Sequence, residues 1–289
     1  MSETKYLNLG CGNRSHPDWI NIDIAPQGPG VIQNDLSRGI PLPDASCDVV
    51  YHAAVLEHLR RSDAEKLMNE CHRVLKPGGI LRVGVPDLEK ICHLYLSRLT
   101  ASLNGDTAAA HDYNWIMLEM FDQIAREESG GNMLDYLRQN PLPNELFIYE
   151  RIGEEGRDLV NVLHNSSGHL QRKQRSIPSL LHKFLKALHI LPKLAKNCVL
   201  FLFLGNEDRR ALEIGQFRLA GEVHHWMYDR YSLARLFETT GFHNPQVFEA
   251  HSSIIPNWTL FHLDTLPDGR TIKPDLFFME AIKQGRPYQ

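Results

Sequence analysis

The sequence has few cysteines, no paired cysteine motif and no surplus of basic charge. Its five cysteines among 289 residues include no C-x-x-C pair, so we expect reduced thiols rather than disulfides or a zinc ribbon. Lys and Arg number 31 against 35 Asp and Glu, and the net charge of -4 gives no general attraction to nucleic acid. These absences predict a cytoplasmic globular protein without a nucleic-acid partner.

Long apolar runs are absent as well. The apolar run from Cys198 to Leu204 is far shorter than the roughly 20 residues that span a bilayer. The first residues are polar and lead into a predicted strand, without the apolar region of a secretion signal. With 43% hydrophobic residues the chain can still bury a full core. We therefore expect neither membrane insertion nor secretion.

The most informative segment is a glycine turn followed at short range by an acid. Leu9 ends a predicted buried strand, Gly10 and Gly12 follow it, and Asp23 closes the next predicted strand. Glycines permit positive φ and close approach of a ligand, and an acid at a strand tip can accept both ribose hydroxyl protons. A dinucleotide site would instead need G-x-G-x-x-G opening a full helix, with the acid about 20 residues on. The pattern favours a nucleoside without a pyrophosphate.

Four segments in chain order extend this pattern. They are Leu7–Asn13 with Asp23, Asn34–Ser37, Pro41–Leu59 and Glu70–Asp87. Together they resemble the class I S-adenosylmethionine-dependent methyltransferases, in particular the type 11 group. The matching features are the cofactor loop and ribose acid, the acid beside the adenine, the fourth strand with its Glu-His-Leu, and the Lys-Pro-Gly-Gly turn before the fifth strand. The resemblance implies an α/β, Rossmann-like sheet, mostly parallel with an antiparallel last strand, and S-adenosyl-L-methionine as cofactor.

The resemblance also implies which residues surround the cofactor. Asp23 would take the ribose hydroxyls, and Asp35 the exocyclic amine of the adenine. The first crossover is shorter than in the family, with Asn13 in place of the third small residue and Pro17 close behind, which puts the pose of the methionine end in question. The implied cofactor-binding residues are Leu9, Gly10, Cys11, Gly12, Asn13, Asp23, Ile24, Asp35, Leu36, His52, Ala53 and His58.

The periodicity of the chain places these motifs on elements. Strands are predicted at Tyr6–Leu9, Trp19–Ile24, Val31–Asn34, Cys47–His52 and Ile80–Val85, and a helix at Ser62–Val74. Ser62 is the expected N-cap, with Glu65 completing a capping box, and Lys76–Gly79 is expected to stop the helix. Residues 1–87 and 221–289 are predicted to form the methyltransferase core, and 88–220 a helical insertion that serves as lid or substrate-binding region.

Two further parts of the chain show helical patterns. An apolar stripe with helical spacing predicts a helix that packs against the core; its members are Tyr113, Ile116, Met117, Met120, Phe121 and Ile124. A short helix at Met133–Arg138 would complete a helical hairpin over the active-site mouth. In the last third, Ser232–Thr240 is predicted as a helix capped by Ser232, followed by strands at Gln246–Ala250 and Leu276–Ile282.

One segment carries a marked charge asymmetry. Residues 159–206 contain no Asp or Glu, and lysines alternate there with leucines at helical spacing. The segment 172–204 is therefore predicted as a basic amphipathic helix up to Pro192 with an apolar stretch beyond it. An ordinary solvated lysine face is the favoured explanation. Peripheral contact with a membrane, a lipid-linked substrate or an anionic partner is the alternative.

Methyl transfer from a sulfonium needs alignment of the two substrates and, for a hydroxyl acceptor, removal of a proton. Histidine suits this second task because its pKa lies near neutral pH. The candidates follow the fourth strand or precede the closing helix, and they are His58, His224, His225 and Glu57. No metal site is predicted, because the histidines and carboxylates show no ligand spacing in the sequence.

The leading hypothesis is methyl transfer to a small-molecule acceptor, most plausibly O-methylation of a sugar, glycan precursor or secondary metabolite. The Asn/Asp-Pro-Pro-Tyr/Phe motif of base and amide methylases is missing after the fourth strand, where His52-Ala53-Ala54 stands. Two alternatives stay open: aminopropyl transfer from the decarboxylated cofactor, and a non-catalytic cofactor-binding scaffold. The sequence does not indicate an oligomeric state.

Overall fold

The computed structural model describes residues 4–165 and 204–285. The prediction of a basic amphipathic segment at 172–204 lies almost entirely outside the described residues. Within them, no helix is both long enough and apolar enough to cross a bilayer.

A seven-stranded sheet in the order β3-β2-β1-β4-β5-β7-β6 forms the centre of the fold. Its strands are β1 Tyr6–Leu9, β2 Trp19–Asp23, β3 Val31–Gln33, β4 Cys47–Ala53, β5 Leu75–Pro86, β6 Phe242–Phe248 and β7 Leu276–Lys283. The pairs among β1 to β5 are parallel, and β7 runs antiparallel to both of its neighbours. This confirms the predicted fold class. The chain order reverses direction at β1, where ligands bind in open sheets of this kind.

Strand β5 begins earlier than predicted. Leu75 already pairs with Cys47, and the ladder shifts register before Ile80 pairs with Val49. The Lys-Pro-Gly-Gly segment therefore lies inside the strand as an irregularity, directly after the helix ends. A Cβ on Gly79 would come within 2.9 Å of the Lys76 carbonyl oxygen, so only glycine fits this close approach.

Within the described residues, seven α-helices accompany the sheet. They are α1 Arg61–Val74, α2 Leu88–Leu103, α3 Thr107–Ala125, α4 Gly131–Leu137, α5 Glu145–Asn165, α6 Asn206–Arg218 and α7 Arg230–Thr239. Both predicted N-caps are wrong. Ser62 lies inside α1, which follows Arg60 without a side-chain cap. Asp229 caps α7, and Ser232 forms the second half of its capping box, because the Asp229 carboxylate accepts the Ser232 N–H at 2.7 Å.

Two separate apolar clusters correspond to the sheet and to the inserted helices. The main cluster packs sheet residues such as Leu7 and Val83 against Leu67 of α1 and Phe237 of α7. A second cluster lies among α2 to α5 and includes Trp115 and Ile148. A segment that forms its own core is consistent with the predicted insertion, although the division into two domains stays a prediction.

The buried face of α3 differs from the predicted stripe. Ile116 is buried, but Phe121 is 54% exposed and Ile124 is also exposed. The inward face instead carries Trp115 and Glu119, whose carboxylate accepts the indole N–H at 2.6 Å. Because the acid Glu119 is paired inside the cluster, the helix buries a different face from the one that its apolar residues predict. The stripe prediction is therefore wrong at its C-terminal end.

Helix α5 packs against the connection between β6 and β7. It kinks at Gly153, where φ is 63° and an added Cβ would lie 2.2 Å from the carbonyl oxygen of Ile272. Any other residue would clash with the backbone of that connection. On the other face of the sheet the same connection contributes Trp258 and Leu263 to a third cluster with Trp19. The β6–β7 connection thus joins the sheet to the insertion.

Candidate active site

The turn after β1 is shaped by two glycines in the left-handed region. Gly10 has φ 62° and Gly12 has φ 51°. A Cβ on Gly10 would lie 2.5 Å from a methyl group of Val55, whereas a Cβ on Gly12 would meet nothing within 4 Å. Position 10 therefore requires glycine both because of its backbone conformation and because a side chain would clash. Position 12 favours glycine because of its conformation alone, and the space beside it is open. That open space belongs to a cavity.

Asp23 links the tip of β2 to this turn. Its carboxylate accepts the Gly12 N–H at 2.8 Å and the Ala25 N–H at 2.7 Å. The acid is 9% exposed, and two backbone donors fix the orientation of its carboxyl group. A carboxylate has lone pairs for more than two donors, so further ones can accept ribose hydroxyls. The role of Asp23 at a ribose stays a prediction.

The loop after β3 presents a second acid. Asp35 caps a single 3₁₀ turn, Leu36–Arg38, and accepts both the hydroxyl and the N–H of Ser37. These hydrogen bonds, the hydroxyl first, hold the pKa of Asp35 below its usual range. Ile24, at the tip of β2, is 64% exposed and leaves an apolar surface on the same edge. Recognition of an exocyclic amine by Asp35 stays a prediction.

A cavity of about 190 Å³ opens beside the glycine turn. Its lining includes Gly10, Cys11, Gly12, Asn13 and Ala53 of the predicted cofactor set. Burial raises the pKa of the Cys11 thiol to about 11, so this thiol stays protonated and contributes packing rather than nucleophilic chemistry.

Six predicted cofactor residues line neither of the two cavities at the site: Leu9, Asp23, Ile24, Asp35, Leu36 and His52. Of these, the side chains of Leu9 and His52 are fully buried. Neighbouring residues on a strand point to opposite faces, so His52 faces the core while Tyr51 and Ala53 line the cavity. Burial lowers the pKa of His52 to about 3, which keeps the ring neutral. Its assignment as a side chain at the cofactor is wrong.

A larger cavity of about 470 Å³ lies beside the first. One side is apolar and comes from the inserted helices, with Ile91, Trp115 and Leu137 among its residues. The other side is polar, and its residues include Glu57, His58, Gln123, Arg126, His224 and Lys273. Gln123 and Arg126 belong to the predicted insertion and the other four polar residues to the predicted core, so both parts of the chain line this cavity.

The two cavities share a wall. The residues common to both linings are Ala54, Glu155, Lys273 and Leu276. Ala54 has φ 54°, an uncommon conformation for a residue with a Cβ, directly after β4. The shared wall places the glycine-turn cavity next to the polar side of the larger one. A group bound in the first can therefore face a molecule in the second.

Three of the four predicted catalytic residues meet at the larger cavity. Glu57, His58 and His224 each offer one ligand atom, and these atoms lie within 4.8 Å of one another. The rings of His58 and His224 meet edge to face, 4.7 Å between centroids. Two backbone hydrogen bonds join the contributing segments: His225 N–H donates to the Glu57 carbonyl at 2.6 Å, and His224 N–H to that of Gln123 at 2.9 Å.

Burial dominates the electrostatics of this group. It raises the pKa of Glu57 to about 8 and lowers that of His224 to about 3. The pKa of His58 is also lowered by burial, against an opposing hydrogen bond to the backbone of Val223. His58 is the one predicted cofactor residue found here instead of at the glycine turn.

His225 is separated from this group. Its ring is half-buried and lines neither cavity, because in the extended segment before α7 successive side chains point to opposite sides. Glu222 is also occupied, since it accepts hydrogen bonds from Arg126 at 3.0 Å and from the Gly130 N–H at 2.9 Å. The prediction of His225 as a base is therefore wrong, and Glu222 serves to hold the start of α4.

Three charged residues at the site were not predicted. Arg14, in the glycine loop, pairs with Glu155 of α5 at 3.3 Å. Lys273, just before β7, lies 3.6 Å from the same carboxylate. These contacts tie the cofactor loop, the insertion and the β6–β7 connection together at the shared wall. Because the three residues are distant in the chain, no local spacing could have identified them.

The fold and the site together define an α/β protein with one cavity beside the glycine turn at the switch point of its sheet and a second cavity that adjoins it. Comparison with known families agrees. The family model described as "Methyltransferase domain" matches residues 18–83, which include β2, Asp35, Glu57 and His58. The resemblance predicted from the sequence is confirmed, and S-adenosylmethionine is the cofactor that it implies.

Similar proteins cover only part of the chain. A Mycolicibacterium smegmatis protein named "Probable S-adenosylmethionine-dependent methyltransferase" is 50% identical over 48 residues, 17% of this chain and 18% of that protein. One of the same designation from Mycobacterium tuberculosis is 46% identical over 57 residues, 20% of each chain. These matches span about a fifth of the relatives' length. A SAM-dependent methyltransferase structure from Thermotoga maritima is 12% identical, with coverage of 98% and 84% and a TM-score of 0.36.

Proposed function

We propose that this protein transfers the methyl group of S-adenosylmethionine to a hydroxyl of a small-molecule acceptor, such as a sugar, a glycan precursor or a secondary metabolite. The observation that carries the proposal is the pair of adjoining cavities with a common wall at Ala54 and Lys273. A displacement at a methyl group requires donor and acceptor to approach in line from two sides. Two pockets that meet at one wall provide that arrangement.

The smaller cavity supports the donor half of the proposal. Its glycine turn leaves open space at Gly12, and the carboxyl group of Asp23 is fixed by hydrogen bonds from the Gly12 and Ala25 backbone N–H groups. Asn13 and Arg14 line the cavity where the shortened crossover begins. With Arg14 held by Glu155, the inserted helix α5 covers the side on which a methionine tail would lie.

The larger cavity supports the acceptor half. Its apolar wall around Trp115 suits the carbon face of a ring, and its polar wall offers hydrogen-bond partners to hydroxyl groups. Glu57, His58 and His224 stand on the polar wall, where an acceptor proton would leave. The charged side chains of Arg126 and Lys273 complete a lining for a polar small molecule.

The structure also bears on the aminopropyl alternative. The larger cavity does bring together four acidic side chains, Glu57, Glu119, Glu155 and Asp275. Glu119 is paired with Arg151 at 2.5 Å, and Glu155 with Arg14 at 3.3 Å. Half of the acids are therefore neutralised by arginines, which weakens the case for a polyamine.

The proposal is tested by product analysis with the full chain. We expect S-adenosylhomocysteine to accumulate when S-adenosylmethionine is offered with a panel of sugars, phenols and other hydroxylated metabolites, and one acceptor to gain 14 mass units in the mass spectrum. Matched primary amines serve as the comparison set. Turnover with amines alone would contradict O-methylation, and release of methylthioadenosine from the decarboxylated cofactor would favour aminopropyl transfer.

Variants separate the two halves of the site. His58→Asn is expected to lower kcat about 100-fold or more while the Kd for S-adenosylmethionine changes less than about twofold. His251→Asn is the matched control, because His251 is exposed and lines neither cavity. Equal turnover in both variants would show that the polar wall takes no part in the chemistry. Absence of cofactor binding to the unmodified protein would refute the proposal as a whole.

A further inference from the structure

Glu57, His58 and His224 carry more than a proton-transfer role. We propose that these three residues bind a divalent transition-metal cation at the polar wall of the larger cavity. Two imidazoles and one carboxylate are the donor set of catalytic zinc sites and of non-haem ferrous sites, both of which keep coordination positions open. The inference concerns binding of the cation itself and does not depend on the proposed methyl transfer.

The distances bring the three ligand atoms close to a coordination shell. One donor atom from each residue lies within 4.8 Å of the other two. A cation held about 2.1 Å from each atom in a tetrahedral shell requires donor atoms about 3.4 Å apart. The side chains therefore need to approach by about 1.4 Å at most, which is within the reach of small side-chain rotations.

Two polar atoms of this group have no hydrogen-bond partner among the residues that the structure describes. They are Oε2 of Glu57 and Nδ1 of His58, and both are buried. Glu57 is 1% exposed and His224 is 8% exposed, so bulk water does not solvate them freely. Buried polar atoms are almost always paired, and an unpaired carboxylate oxygen in the same group as an unpaired imidazole nitrogen is therefore a reason to look for a ligand. A shared cation satisfies both atoms at once.

The surroundings of the group hold the ligands in place. The backbone of Val223 hydrogen-bonds the His58 ring, and the ring nitrogen Nδ1 has no partner among the described residues. The backbone of His225 donates to the Glu57 carbonyl at 2.6 Å and so ties the His224 segment to the Glu57 segment. Ligating histidines in metal sites are oriented in this way through their second ring nitrogen. The support for the ligands is therefore present without the cation.

The basic side chains of this cavity pair with acids outside the group. Lys273 lies 3.6 Å from Glu155, and Arg126 pairs with Asp122 at 2.8 Å and with Glu222 at 3.0 Å. Among the residues that the structure describes, Glu57 forms no ion pair with any of them. A bound cation would balance its carboxylate.

Metal binding is measured directly on the full chain. After treatment with a chelator and its removal, the protein is titrated calorimetrically at neutral pH with Zn²⁺, Mn²⁺ and Mg²⁺, and the bound metal is counted by elemental analysis. We expect one Zn²⁺ per chain. Glu57→Gln and His224→Asn should each weaken its affinity at least about tenfold, while the matched control His225→Asn leaves it unchanged. His225 is the neighbour of His224 but is not part of the group.

A spectroscopic measurement keeps the inference testable if a variant fails to fold. Co²⁺ added to the wild-type protein should give the strong visible absorption of a four- or five-coordinate site and lose it when Zn²⁺ is added. A weak spectrum, like that of hydrated cobalt, would overturn the proposal. Zinc affinity that is equal in the wild type, Glu57→Gln and His224→Asn would overturn it too, because the metal would then bind elsewhere. Binding of Mg²⁺ alone would also overturn it. None of these readouts uses methyl transfer.

Discussion

Replacement of Asp23 by asparagine tests the centre of the cofactor site. The two carboxylate oxygens accept the Gly12 N–H at 2.8 Å and the Ala25 N–H at 2.7 Å. Asparagine has nearly the same shape but a single acceptor oxygen, so its amide group must face one of the two backbone donors. One buried donor is left without a partner, which costs about 1–3 kcal/mol of folding free energy. The change also removes the negative charge that ribose hydroxyls would meet.

The effect on cofactor affinity follows from the same contacts. A hydrogen bond to a charged group contributes about 1.5–3 kcal/mol, and each 1.4 kcal/mol is a factor of ten in Kd. We expect Asp23→Asn to raise the Kd for S-adenosylmethionine about 10- to 100-fold, measured by calorimetry, and to lower the urea midpoint of unfolding. Asp18→Asn is the matched control, because this acid of the same crossover is 77% exposed and lies 4.0 Å from His16.

Two results would refute this reasoning. A Kd for Asp23→Asn within about threefold of the wild type, with stability lowered, would show that Asp23 only shapes the turn. An equal loss of affinity in Asp18→Asn would show that the crossover responds to charge in general. In either case the nucleoside site would have to be sought elsewhere on the sheet edge.

Three further predictions concern the glycine turn, the buried charges and pH. Gly10→Ala should lower Tm and abolish cofactor binding, because the added Cβ would lie 2.5 Å from a valine methyl group. Gly12→Ala should lower Tm less, because no atom lies within 4 Å of its added Cβ. Equal losses of Tm in thermal melts would contradict this packing argument. Asp264→Asn should lower the free energy of unfolding, measured in urea, by about 3 kcal/mol, because the fully buried Arg82 guanidinium loses one of its carboxylate partners. A loss below about 1 kcal/mol would contradict this prediction. A hydrogen bond from the arginine one helical turn further on lowers the pKa of Glu70. The ionised Glu70 therefore contributes its full stabilisation above about pH 4.3, and this contribution is lost as the pH falls through the lowered pKa. Glu70→Gln should flatten this loss of Tm at acid pH in melts at several pH values, and an unchanged slope would contradict the prediction.

Local patterns were sufficient for most of the sheet. Strands β1, β2 and β4 were predicted to within a residue or two, because their apolar runs and flanking glycines are local signals. The glycine turn and Asp23 were predicted for the same reason, since both lie within one crossover. The N-caps were predicted less well. A serine and an aspartate three residues apart both suit a cap, and only the folded backbone shows which one precedes the helix.

Side-chain direction was the main source of error in the site. His52 and His225 were both assigned to the site, yet each points away from it while an immediate neighbour points in. The sequence shows that a histidine follows a strand, but the sheet pleat and the extended segment before α7 decide which side it faces. In the insertion, the buried pair of Glu119 and Arg151 turned α3 away from the face that its apolar residues predicted.

The sequence by itself determined what depends on neighbours in the chain: the strands, the glycine turn, the acids at the strand tips and, with them, the class of cofactor. The tertiary structure decided what depends on residues far apart. It brought His224 to Glu57 and His58, placed Lys273 and Glu155 between two cavities, and packed the inserted helices along the larger cavity. The physical reason is that both cavities are lined by segments far apart in the chain, and their side chains meet only after the sheet and the inserted helices have packed together.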